Sequence, residues 1–168
     1  MGRDKALLPM QGTTLIERTA GLVEAAAGRV TLIGPPERYA VLGFPVIADL
    51  VEDAGPIGGL HTALQITRSE WNLIVACDMP CLTEDFLRNL IDAAPKSGSL
   101  CLVPKTGTGL HPLCAVYHRG ASAAVVAALF HKRFKMHDLL ASLGAVAWIV
   151  GDAAPLENVN TPVEWGGR

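Results

Sequence analysis

Residues 72–76 read Asn-Leu-Ile-Val-Ala, a continuous apolar run that stops at Cys77-Asp78. An unbroken aliphatic run fits a strand covered on both faces, as in parallel sheets; a strand with one wet face alternates instead. Further runs of the same kind stand at 30–33, 46–47, 100–103, 113–117 and 145–150. Helical stretches separate them. In 14–27, Leu15, Ile16, Ala20, Leu22 and Val23 form one stripe, with Thr13 or Thr14 placed to cap it and Gly28 to end it. In 85–94, Phe86, Leu87, Leu90 and Ile91 point inward behind a Thr83 cap. Further helices are expected at 59–67, 121–130 and 137–143. Strands alternating with helices predict βαβ units: a three-layer α/β fold with a mostly parallel sheet. Ligands of such sheets bind beyond the carboxyl ends of the strands. Asp49 and Asp78 both fall there.

Composition narrows the classes. A chain of 168 residues, read as a single domain 1–168, is long enough to fold around its own core. Half of it is hydrophobic and 18% is charged, which excludes a disordered chain. Fourteen basic against sixteen acidic side chains leave no basic excess for a nucleic-acid backbone. Cys77, Cys81, Cys101 and Cys114 contain no Cys-x-x-Cys pair, and Cys77 and Cys81 sit in apolar sequence as reduced interior thiols do. The first residues lack the apolar core of a signal peptide, and no apolar stretch approaches the ~20 residues of a membrane span. A reducing cytoplasm, with no membrane partner, is the expected setting.

Asp78, ending a buried strand in Ala-Cys-Asp-Met-Pro, is placed to ligate a hard cation such as Mg²⁺, or else to cap the next segment. Asp49 ends a second strand and reads either as a site acid or as a turn residue. Gly55-Pro56-Ile57-Gly58-Gly59 opens a helix, where glycines allow close approach and free amides suit an anion or a base edge. Gly2-Arg3-Asp4-Lys5 supplies cations for phosphates, or is a solvated terminus. His111 precedes a strand as a substrate contact or a loop residue, and His61 reads as structural. His131, Lys132, Arg133 and Lys135 form a basic cluster, either a phosphate grip or a helix end. Asn158 and Asn160 share one side of an extended segment and suit a heterocycle edge, or make turn chemistry before a helix capped by Thr161.

In order, Met-Gly-Arg-Asp-Lys-Ala-Leu-Leu, Gly-Pro-Ile-Gly-Gly-Leu, Ala-Cys-Asp-Met-Pro, His-Pro-Leu and Asn-Val-Asn-Thr-Pro resemble the molybdenum cofactor guanylyltransferase family of the MobA type. The likeness covers essentially the whole chain. It implies a Rossmann-like nucleotidyltransferase fold and transfer of GMP from GTP to molybdopterin, with release of pyrophosphate. By that resemblance Lys5 and Asp78 are catalytic, and Asp78 holds Mg²⁺. Lys5, Asp49, Gly55, Gly58 and Asp78 bind the nucleotide. Arg133, Asn158 and Asn160 lie on the molybdopterin side. GTP, molybdopterin and molybdoenzyme-maturation proteins are the implied partners.

Family members begin with a strand and a glycine-rich phosphate loop, whereas this sequence starts at the Met that follows them. The domain is therefore expected to be truncated at its N-terminus relative to the family, with a start assigned too far downstream as the favoured cause. The alternatives are a related molybdopterin cytidylyltransferase or sugar-phosphate nucleotidyltransferase, and an inactive relative that only binds cofactor or a partner protein.

Overall fold

The computed structural model describes residues 4–10 and 12–157. A single 3-10 turn, Lys5–Leu7, is followed by the small antiparallel pair β1 (Pro9–Met10) and β2 (Thr13–Thr14). Then come α1 (Leu15–Ala27), β3 (Leu32–Ile33), α2 (Pro36–Tyr39), β4 (Val46–Ile47), α3 (Pro56–Ile66) and β5 (Trp71–Val75). The second half holds α4 (Glu84–Ala93), β6 (Cys101–Thr106), β7 (Gly109–Leu110), β8 (Cys114–His118), α5 (Ser122–Phe130), α6 (Met136–Ser142) and β9 (Val146–Ile149).

Local chemistry explains the helix ends. Thr14 and Glu17 form a reciprocal capping box on α1, and Gly28, in the left-handed region at φ 78°, ends it. The Thr83 hydroxyl accepts the Phe86 N–H at the start of α4. The helix expected from residue 59 starts at Pro56 instead, because proline at the first turn loses no hydrogen bond.

The main sheet runs β5-β8-β6, with β7 and β9 both paired to β6. β5, β6 and β9 share one direction, and β8 is antiparallel between β5 and β6. β8 shows why continuous apolar runs mark this sheet: Cys114 and Val116 pack against α4, while Ala115 and Tyr117 pack against α3, α5 and α6. Both faces are thus covered by helices, giving three layers. Cys101 and Cys114 are buried, but Cys77 and Cys81 are half-buried, since both follow the end of β5.

β3 and β4 form a separate two-stranded parallel sheet. Between β3 and β5 lies a trough of about 860 Å³, lined by Thr31, Ile33, Leu73 and Val75, by Ala20 of α1 and by Leu60 of α3. Leu32 and Gly34 donate to β4-side carbonyls, at 2.8 and 2.9 Å, so Thr31 and Ile33 direct their backbone groups toward the trough. On β5, Ala76 N–H donates to Leu113 and Glu70 accepts from Arg119, which leaves the groups of Leu73 and Val75 on the trough side.

Candidate functional site

The site is assembled where β3, β4 and β5 end. Asp49 stands two residues beyond β4. Its inner oxygen lies over the first turn of α3, 3.8 and 3.7 Å from where a Cβ would stand on Gly58 and Gly59. Desolvation there raises its carboxyl above the ordinary value of 3.8. The loop behind it is pinned: Leu50 N–H donates to the Thr62 hydroxyl, which donates to the Gly58 carbonyl. Nothing in the sequence marked the fully buried Thr62.

The glycines divide by role. Gly55 has φ 57° and ψ −147°, a conformation only glycine adopts readily. A Cβ on Gly58 would stand 2.9 Å from the Val51 carbonyl oxygen, so this position stays bare to let the 49–54 loop close on α3.

Asp78 lies in the turn after β5 and is half-buried. It does not cap α4, because Thr83 does. Among the described residues its carboxylate makes no hydrogen bond or ion pair, so it is uncommitted within that set. Neighbouring Cys77 feels both Asp78 and Asp4: burial raises the thiol pKa first, then the two negative charges raise it further. The N-terminal turn and the end of β5 are therefore adjacent. Lys5 is exposed on that turn and makes no ion pair among the described residues.

Asp4 is the residue the sequence reading passed over. Its Oδ1 accepts the Ala6 N–H at 3.1 Å, and its Oδ2 accepts the Tyr39 hydroxyl at 2.9 Å and Arg38 Nη1 at 3.4 Å. Tyr39 is pushed up to about 12, first by burial and then by Asp4. These partners are 34 and 35 residues apart in sequence, and no local pattern reveals them.

Arg133 follows the end of α5. Gln65, near the end of α3, bonds Ser122 at the start of α5 at 3.1 Å. α5 packs against α3 through Val125, and the 131–135 segment follows it. Arg133 is exposed, and its N–H donates to the Ala128 carbonyl at 2.8 Å. His111 is held by Thr106, whose hydroxyl is 2.8 Å from Nε2 and 2.8 Å from the Thr108 hydroxyl; burial lowers the imidazole pKa. The expected Asn158 and Asn160, and the Thr161 cap, lie outside the described residues.

Carboxylates, a lysine and a glycine-opened helix beyond the ends of parallel strands define an α/β domain of the nucleotide-handling class. The chain belongs to the MobA-like NTP transferase domain family, whose model matches residues 1–146. It is similar to a protein of Pelotomaculum thermopropionicum named "Probable molybdenum cofactor guanylyltransferase", at 34% identity over 139 residues, covering 82% of this chain and 67% of the relative. A protein of Flavobacterium johnsoniae with the same name is 30% identical over 143 residues, covering 85% and 75%. Among solved structures, the molybdopterin-guanine dinucleotide biosynthesis protein A of Archaeoglobus fulgidus superposes with a TM-score of 0.80 at 25% identity, covering 98% of this chain and 88% of that one.

Proposed function

We propose that this protein transfers GMP from GTP to molybdopterin, releasing pyrophosphate and forming molybdopterin guanine dinucleotide. The observation that supports the reading is that Asp49 and Asp78 stand just beyond β4 and β5, with the turn that carries Lys5 beside the end of β5, in a chain whose named relatives are guanylyltransferases. A phosphate oxygen of molybdopterin attacks the α-phosphorus of GTP. The bond from that phosphorus to the bridging oxygen breaks, and pyrophosphate leaves with the electron pair. The nucleophile is already ionised near neutral pH, so no side-chain base is required. What the protein supplies is position and charge.

In this reading Lys5 meets the phosphates, and Asp49, Gly55 and Gly58 hold the nucleotide. Arg133, Asn158 and Asn160 face the molybdopterin side. Mg²⁺ fits the donor chemistry: it takes one or two carboxylates and completes its shell with phosphates and water. The Asp78 carboxylate, uncommitted among the described residues, would hold it, while Asp4 is engaged by Tyr39 and Arg38. When bound it would add charge neutralisation at the triphosphate.

The chain 1–168 is read as one nucleotidyltransferase-like domain. The expected setting is the cytoplasm, with GTP, molybdopterin and molybdoenzyme-maturation proteins as partners. No described helix is long and apolar enough to cross a membrane.

A thermal shift tests the nucleotide assignment. Mg-GTP at a hundred times its Kd stabilises by about 2.7 kcal/mol, a rise of roughly 5–11 °C for a domain of this size. A rise with GTP and not with CTP or ATP is expected. No rise with GTP overturns the reading.

A further inference from the structure

We infer that Asp4 and Tyr39 form a latch that positions Lys5 for the nucleotide phosphates; the inference rests on the role proposed above for Lys5. Lys5 opens a turn of only three residues and projects into solvent. A turn this short has too few backbone hydrogen bonds to hold itself. Its direction is set by what grips it at either end. Ala6 is buried in the cluster of Ile16, Ala20, Leu32 and Tyr39. Asp4 caps the turn through the Ala6 N–H and reaches across to α2 through Tyr39 and Arg38.

The far end of the latch is rigid. Tyr39 is 9% exposed. Its ring lies so close to Gly34 that a Cβ there would stand 2.9 Å from Tyr39 Cε2. Gly34 is in turn tied to Ile47 of β4 by its N–H, at 2.9 Å. The Tyr39 hydroxyl is thus placed by the register of β3 against β4, the same pair that delivers Asp49. The latch ties Lys5 and Asp49 to one frame.

The latch also governs charge. A carboxylate next to a lysine in sequence is its nearest available counter-ion. Here that carboxylate is turned away and shared between a phenol and a guanidinium, so the ammonium of Lys5 stays available to an anion. Tyr39 remains a protonated donor across the physiological range.

The test is a double-mutant cycle on Mg-GTP affinity, read by titration calorimetry with Lys5→Ala, Tyr39→Phe and the double variant, each checked by melting. Lys5→Ala is expected to weaken GTP by about tenfold or more, as loss of a charge-assisted contact does. Tyr39→Phe, which removes only the hydroxyl, is expected to weaken it roughly three- to tenfold. In the Lys5→Ala background Tyr39→Phe is expected to cost nothing further, because the group it positions is gone. Equal losses in both backgrounds, or no loss from Tyr39→Phe in the wild type, would overturn the latch while leaving Lys5 in place. An unchanged affinity in Lys5→Ala would remove Lys5 from the phosphate site, and the latch with it. Absence of GTP binding by the wild type would contradict the function itself.

Discussion

The Leu50 N–H donates to the buried Thr62 hydroxyl at 2.9 Å, and the same hydroxyl donates to the Gly58 carbonyl at 3.0 Å. One side chain on the second turn of α3 thus fixes the loop that carries Asp49. Thr62→Val keeps the shape and removes both bonds. It should cost about 1–3 kcal/mol, or a melting point lower by roughly 2–12 °C. GTP affinity should fall with it, because Asp49 loses its anchor. Calorimetric melting with and without nucleotide checks both; an unchanged melting point would show that the loop is held by something else.

Gly58 and Gly59 should respond oppositely to alanine. At Gly58 the new methyl meets the Val51 carbonyl at 2.9 Å and the Ala54 methyl at 3.2 Å. Backbone must move, at a cost of about 1–3 kcal/mol. At Gly59 the nearest atoms are 3.7 and 3.9 Å away, an ordinary contact. Gly59→Ala should therefore be neutral or gain up to ~1 kcal/mol from helix propensity. Urea unfolding midpoints of the two variants decide the matter.

Asp78→Asn separates chemistry from stability. Asp78 caps no described helix, so the melting point should stay within about 2 °C of wild type. Metal-dependent turnover should drop at least ~100-fold, since several kcal/mol of charge stabilisation go with the ligand. Turnover that survives in this variant would take Asp78 out of the metal site.

His111 predicts a pH dependence of definite sign. Burial lowers its folded pKa below the ordinary 6.5, so the neutral ring is favoured in the fold. Its contribution is fully present above 6.5 and is lost as pH falls through the folded value. Wild-type melting should therefore decline more steeply from pH 7 to acid than that of His111→Gln. Parallel curves would show that the ring titrates as in water.

What could be read from the sequence was local. Thr14, Glu17 and Gly28 bound α1, and Thr83 caps α4, because caps are made within three or four residues. The apolar runs marked β5 and β8 because both faces of the sheet are covered. The reversal of β8 was not legible: its partner β5 lies far off in the chain, and apolarity carries no direction. α2, four residues long, is shorter than any helical period could reveal. Strand ends located Asp49 and Asp78, but not the partners that hold the site. The Asp4–Tyr39 pair spans 35 residues, and Gly58 answers to a carbonyl seven residues upstream.

The most direct test of the guanylyltransferase reading is release of pyrophosphate from Mg-GTP in the presence of molybdopterin. The account predicts release that needs both substrates and is at least about tenfold slower with CTP. It also predicts that release disappears in Asp78→Asn. No release, or release with CTP as fast as with GTP, would contradict it.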